Sequence, residues 1–300
     1  MKVTIFQQDT LGLNDARFAL FCYKLEKDTL VLLPEYTLNP FFLELKSMKI
    51  KQIIAQTNAQ VRFLSALSMR YNIHFVAPIV RCINRKLYKE IIYISPQSAK
   101  TFHNALQEKL GIKAPTSINI AESNTLESNA TINIDECLKI YPIYRQQRLI
   151  DYRHWNEAKF FRNHNNKMLK KPFIFAYKGF NIAVLFGFEV HFDEMWLSMK
   201  KSGVDMVLLP CANTFDSIAR WRELCKMRAF LNGCVVIRAN RVGKAVANEN
   251  EWIFYGDSFI AMPNGEIIDN LRDKEAMLSL EIQKSKILEM AREWGFRKNF

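Results

Sequence analysis

No stretch of this chain reaches the roughly 18 consecutive apolar residues that a membrane-spanning helix requires, although 49% of its 300 residues are hydrophobic. The N-terminal MKVTIFQQDT alternates like a strand. It lacks the apolar run and small-residue cleavage site of a secretory signal. The six cysteines, Cys22, Cys82, Cys137, Cys211, Cys225 and Cys234, contain no CxxC pair and sit mostly in apolar surroundings. That argues against a structural zinc site and against a disulfide framework, and reduced thiols in a cytoplasmic protein are the expectation. The histidines His74, His103, His154, His164 and His191 show no metal-ligand spacing. Neither a metal nor a cofactor is called for. The net charge is +12 and the pI about 9.4, but the basic clusters at Lys46–Lys51, Lys167–Lys171 and Lys284–Lys286 are short and join no nucleic-acid motif. Charge of this kind speaks to association and not to fold. Nucleic acid and membrane are therefore disfavoured as partners, and an anionic ligand stays open.

What is present is an alternation of strand and helix signals. Strands are expected at Val3–Gln8, Leu30–Leu33, His74–Val80 and Lys86–Ser95, with helices over Asn14–Lys27 (Asn14 as N-cap) and Ile53–Tyr71. From about Ser98 to Asp135 the chain is rich in Ser, Asn, Thr and Ala without strong periodicity, which reads as a surface insertion. Strand patterns resume at Leu138–Tyr144, Phe173–Tyr177, Ile182–Phe186, Val204–Leu209, Val235–Asn240, Trp252–Met262, Glu266–Asn270 and Ala276–Ile282. Helices are expected up to Ser202, over Ser217–Asn232 and from Ser285, and Met262–Glu266 is a hairpin turn centred on Asn-Gly. The order β-α-β-α-β-β occurs twice. It predicts one α/β domain over residues 1–300 with two sheets covered by helices.

The most informative segment is Phe180–Phe192. Its apolar run stops at Gly187, a carboxylate follows at Glu189, and a helix begins, so a buried strand turns sharply into a helix. Such corners hold the nucleophile in many α/β hydrolytic enzymes. Here the corner has no side chain.

Four segments line up in order: LLPEYTL ending at Leu38, GFNIAVLFGFE ending at Glu189, Trp221–Gly243, and Phe254–Ile268. Together they resemble the nitrilase superfamily, the carbon–nitrogen hydrolases, over nearly the whole chain. The resemblance implies an α-β-β-α sandwich that pairs into a homodimer or higher homo-oligomer. It also implies hydrolysis of amide, nitrile or carbamoyl groups by a Glu-Lys-Cys set with a second Glu. In that chemistry a thiolate attacks, a Glu moves the proton, and an ammonium holds the developing negative charge. Carried over residue by residue, Glu35 takes the general-base position and Glu157, in HWNEAKFF, the second glutamate. The lysine position in YRQQRL is Gln146, and the nucleophile position is Gly187. With both substituted, loss of cysteine-dependent hydrolysis is expected, with binding of a small amide- or carboxylate-like ligand surviving.

Each of these residues also has a plainer reading. Glu35 could be a loop ion pair, Glu157 a cap, Gln146 an edge-strand polar residue. Cys211, in LLPCANTF, is either a small buried thiol or a migrated nucleophile, and water activated by Glu35 is the other route to an active enzyme. His191, just past the corner, is a stand-in base or a bystander. Arg228, Arg238, Asn240 and Arg241 line an anion pocket or build an ion-pair network. A scaffold protein is the third class, and it predicts an occluded pocket.

Overall fold

The computed structural model describes residues 1–112, 134–163, 171–247 and 249–297. His164, residues 167–170 of one basic cluster, and residues 113–133 of the expected insertion lie outside the described residues.

In chain order the first half comprises β1 (Lys2–Gln7), α1 (Ala16–Tyr23), β2 (Leu30–Leu32), α2 (Phe42–Leu45), α3 (Ile50–Tyr71), β3 (His74–Ile83), β4 (Lys86–Ile94), α4 (Pro96–Leu110), α5 (Asp135–Leu138) and β5 (Ile143–Arg145). The second half comprises β6 (Phe173–Tyr177), β7 (Phe180–Val184), a 3-10 turn (Gly187–His191), α6 (Asp193–Lys201), β8 (Met206–Cys211), α7 (Ile218–Asn232) and β9 (Val235–Asn240). It continues with β10 (Val242–Ala247), β11 (Asn250–Tyr255), β12 (Phe259–Ala261), β13 (Ile267–Asn270), β14 (Ala276–Glu281) and α8 (Lys284–Trp294).

The strands form two six-stranded sheets, ordered β14-β1-β2-β3-β4-β5 and β13-β12-β9-β8-β7-β6, plus the hairpin β10-β11. Each sheet has a parallel centre, β1-β2-β3 in one and β7-β8-β9 in the other. Antiparallel strands flank both centres. The central strands are apolar on both faces, as a doubly covered parallel sheet demands. Val3, Ile5, Leu32 and Val76 of the first sheet share a core with Ile182, Val184, Leu208 and Ile237 of the second. On its outer face the first sheet packs Phe75 and Ile92 against Phe18, Phe63 and Phe102 of α1, α3 and α4. Trp196, Cys225 and Ile287 bring α6, α7 and α8 onto the second. Two stacked sheets flanked by helices result, as the sequence patterning predicts.

Several boundaries differ. Asp15, not Asn14, caps α1: its side chain accepts from the Phe18 amide at 2.7 Å, and Asn14 sits in the left-handed region at φ 51°. The stretch from Ser98 does not begin as irregular surface. Ser95 and Pro96 start α4, whose Ala99, Phe102, His103 and Leu106 are buried, so an amphipathic helix lies within a composition that looked featureless. The Leu138–Tyr144 strand resolves into α5 and the three-residue β5 around Pro142, and proline removes the amide a ladder needs. The Trp252–Met262 strand breaks because Gly256 and Asp257 both take positive φ, 74° and 65°.

Candidate active site

The site lies where the C-terminal ends of β2 and β8 meet the corner after β7. Glu35 follows Pro34 just past β2, and its amide donates to the Cys211 carbonyl at 3.3 Å. One sheet's loop is thereby tied to the other sheet's strand. At the corner, Phe186 is extended and Glu189 begins to close the 3-10 turn, its carboxylate accepting from the Phe186 amide at 2.9 Å. Glu189 also accepts from the Tyr144 hydroxyl at 2.9 Å and the Gln147 amide at 2.6 Å, which binds the chain after β5 to the corner. Burial pushes the Glu189 carboxyl up to about 7, and those hydrogen bonds pull it the other way.

Lys89, on β4, is the residue that sequence reasoning missed. Its ammonium pairs with Glu35 and with Glu157 Oε1 at 2.7 Å, and the Tyr36 hydroxyl donates to that same Glu157 oxygen. All of these side chains are buried. Both Glu carboxylates hold the Lys89 proton on against the effect of burial, so its pKa lies above the ordinary lysine value. Burial outweighs Lys89 at Glu35 and raises that carboxyl. The one available signal was the Lys89-Glu90 pair inside the strand Lys86–Ile94. Neighbouring residues of a strand face opposite ways, so at least one of such a pair turns toward protein. In the fold both are buried, Glu90 being matched by Arg145 at 2.6 Å.

Gln146 does not reach this cluster. Its side-chain amide donates to the Arg148 carbonyl at 2.7 Å. It nevertheless stands across the ladder from Lys89: Glu90 pairs with Arg145, and the next step of the same register puts Gln146 opposite Lys89, its amide donating to the Lys89 carbonyl at 3.1 Å. The strand next to Gln146 thus carries a lysine at the position across from it.

Gly187 donates its amide to Glu35 Oε1 at 3.3 Å. Its φ is not positive, so the backbone does not require glycine there. Space does. A Cβ built on Gly187 would stand 2.7 Å from Cys211 Sγ and 3.3 Å from Glu35 Oε1. The Cys211 thiol lies beside the place where a side chain at 187 would begin. Its thiol is fully buried, and burial raises its pKa, with the Arg238 guanidinium opposing.

A cavity of about 380 Å³ opens onto this point, with Glu35, Gly187 and Ala212 in its wall beside Tyr152, Trp155 and Phe188. That is within the size range of small-molecule sites. His191 and Arg220 also line it. Arg228, Arg238, Asn240 and Arg241 do not line this cavity and hold structure together: Arg228 pairs with Asp193 at 2.6 Å, Arg241 with Asp9 at 2.5 Å, and Arg238 with Asp257 at 3.5 Å. The Asn240 side chain donates to the Gly256 carbonyl. Among the described residues there is no cluster of three or more His, Cys, Asp or Glu placed to hold a metal, and no helix is long and apolar enough to cross a membrane.

The chain is similar to several known proteins. The chain is 26% identical over 274 residues to an N-carbamoylputrescine amidase of Solanum tuberosum, covering 80% of this chain and 90% of that one. A carbon-nitrogen hydrolase from Helicobacter pylori superposes with a TM-score of 0.71 at 17% identity, over 100% of this chain and 95% of the other. An amidase from Nesterenkonia sp. carrying acrylamide at its active-site cysteine superposes with a TM-score of 0.67 at 15% identity, over 98% and 99%. At such identities the structural likeness speaks to the fold alone. The carbon-nitrogen hydrolase family model matches residues 26–292, and the chain belongs to that family.

Proposed function

We propose that the protein recognises a small amide-, carbamoyl- or carboxylate-bearing molecule in the cavity above Glu35, and that residue 187 takes no part in covalent hydrolysis. One observation carries this reading. Glu35 is both a wall residue of the cavity and the partner of the buried Lys89 ammonium. An amide N–H in the cavity finds the Glu35 carboxylate, which the buried Lys89 ammonium holds in place behind the wall. Ion clusters of this kind cost folding free energy through desolvation, so their assembly beside an open cavity favours a retained ligand site. Glycine at 187 offers no nucleophile.

The wall also bears on which ligand fits. Aromatic faces from Tyr152, Trp155 and Phe188 suit a flat or apolar body, and Arg220 supplies a cation. Among the described residues the wall has no carboxylate besides Glu35, so a neutral or anionic tail fits better than the amine tail of N-carbamoylputrescine. A scaffold role goes with a filled pocket, and this one is open.

Titration calorimetry with acetamide, acetate and N-carbamoylputrescine tests the reading. Acetamide and acetate should bind, and Glu35→Gln should weaken acetamide by about tenfold or more, the effect of losing a charged hydrogen-bond partner. Absence of heat with all three compounds would sink it.

A further inference from the structure

Both substituted positions have the missing chemical group close by on another strand. Lys89 is opposite Gln146 on the antiparallel pair β4-β5. β7 ends at Val184, paired with Leu208 of β8, and in the 3-10 turn beyond it a Cβ at Gly187 would stand 2.7 Å from Cys211 Sγ at the end of β8. Residues opposite one another on neighbouring strands share a face, so Lys89 lies on the same side of the sheet as Gln146. The two arrangements lie in different sheets.

We propose that Cys211 is the nucleophile of a re-sited catalytic set, with Lys89 as its ammonium, Glu35 as its proton carrier, and Gly187 as the gap through which the thiol meets the bound carbonyl carbon. This deepens the pocket reading above and rests on it. Three features meet at one point. The thiol and the Glu35 carboxylate converge on the place where a Cβ at 187 would begin, at 2.7 and 3.3 Å. The cavity wall at that place is Gly187 itself, flanked by Ala212, the residue after Cys211. Lys89 Nζ lies 5.2 Å from the ring centre of Phe186, the residue before the gap. Glu157 Oε2 is buried and has no hydrogen-bond partner among the described residues, so the cluster retains acceptor capacity.

In the first step Glu35 takes the Cys211 proton as Sγ bonds to the amide carbon, and the oxygen becomes an oxyanion beside Lys89. The C–N bond then breaks as Glu35 returns that proton to the nitrogen, releasing ammonia or an amine and leaving an acyl thioester on Cys211. Water adds next. Glu35 takes a proton from it, the C–S bond breaks, and the proton returns to sulfur. The net change is amide plus water to carboxylic acid plus ammonia or amine. Neither an oxidant nor a further co-reactant is needed. The buried thiol is a poor nucleophile until its proton has a base to go to, which gives Glu35 its task.

The test treats the full-length protein with acrylamide, followed by intact mass measurement and peptide mapping, and assays ammonia release from acetamide. The expected result is a single acrylamide addition at Cys211 that Glu35→Gln slows, together with turnover lost in both Cys211→Ala and Cys211→Ser. Lys89→Gln should lower turnover by about 10²–10³-fold, as removal of an oxyanion donor does. Addition only at other cysteines overturns the proposal. So does turnover that survives Cys211→Ala while Glu35→Gln abolishes it, which would indicate water attack in the same pocket. Binding of acetamide without adduct or turnover overturns it too and leaves the pocket reading intact, whereas absence of binding removes both. The wild-type adduct needs no variant, and Cys211→Ser keeps the size of the side chain should the alanine fail to fold.

Discussion

The first sheet and the second contribute to the site in different condition. On the first-sheet side, Glu35, Lys89 and Glu157 form a buried ion cluster in which both carboxylates pair with the ammonium. On the second-sheet side, Gly187 and Cys211 share one small space, and only one of them can have a side chain pointing into it. The first is governed by charge and the second by volume. On this reading, a buried charge cluster should tolerate a change in which strand supplies the cation, provided a cation arrives. A packed corner tolerates a change in which residue supplies the bulk, provided the total is constant.

The sharpest way to break that comparison is to remove the cation. Lys89→Ala leaves two buried carboxylates facing each other, and breaking a buried pair from one side costs about 3–5 kcal/mol. Urea unfolding should show a midpoint shifted by that much, and a change under 1 kcal/mol would mean that water already solvates the cluster. Next comes volume. Gly187→Ala places a methyl 2.7 Å from Cys211 Sγ, and overpacking of this kind costs about 1–3 kcal/mol. Cys211→Ala should relieve it. The double variant should therefore be more stable than the sum of the two single changes implies, by at least about 0.5 kcal/mol of coupling. Additive effects would show that the two residues do not compete for space.

These two halves were also unequally legible. The sandwich was readable because continuous apolar runs such as Val204–Leu209 and helical spacing such as Ile53–Tyr71 are local signals. Glu35 and Glu157 were singled out because short local motifs carry them, and the structure brings both to one ammonium. Lys89 was missed for a physical reason. Its role depends on β4-β5 register, and a register is a relation between distant segments that no single window contains. Gly187 was legible as an absence, but the reason for glycine there was not, because the thiol that fills the space comes from the next strand. Asn14 as a cap failed more simply: Asn and Asp both cap well, and only the fold shows that Asp15 is the one turned toward the Phe18 amide.

Glu189 provides a smaller perturbation, one that titrates the clasp between the two sides. Its folded-state value of about 7 lies above the ordinary 4.5. Between those values the unfolded chain has already released the proton that the folded chain keeps, so the folded state binds more protons and stability falls as pH rises. The contribution is fully present below about 4.5 and lost above about 7, and its size is on the order of 1–3 kcal/mol. Urea midpoints at about pH 5 and pH 8 should differ in that direction, and Glu189→Gln should flatten that part of the difference while keeping an acceptor for the Gln147 and Phe186 amides. An unchanged slope in the variant would place the titration elsewhere.

The smallest expected effect is the most discriminating. If opposite positions on the ladder are equivalent sources of the cation, Lys89→Gln combined with Gln146→Lys should return charge to the cluster from β5. The register places residue 146 across from 89, on the same face. The lysine side chain is also longer than the glutamine that now turns back to the Arg148 carbonyl. The double variant should then lie within about 1 kcal/mol of the native protein, as volume-conserving exchanges do, while Lys89→Gln alone shows most of the loss seen with alanine. Should the double variant unfold as readily as the single one, the cation's position and not merely its presence would be what the first-sheet side requires. Charge and volume would then be equally exacting on the two sides.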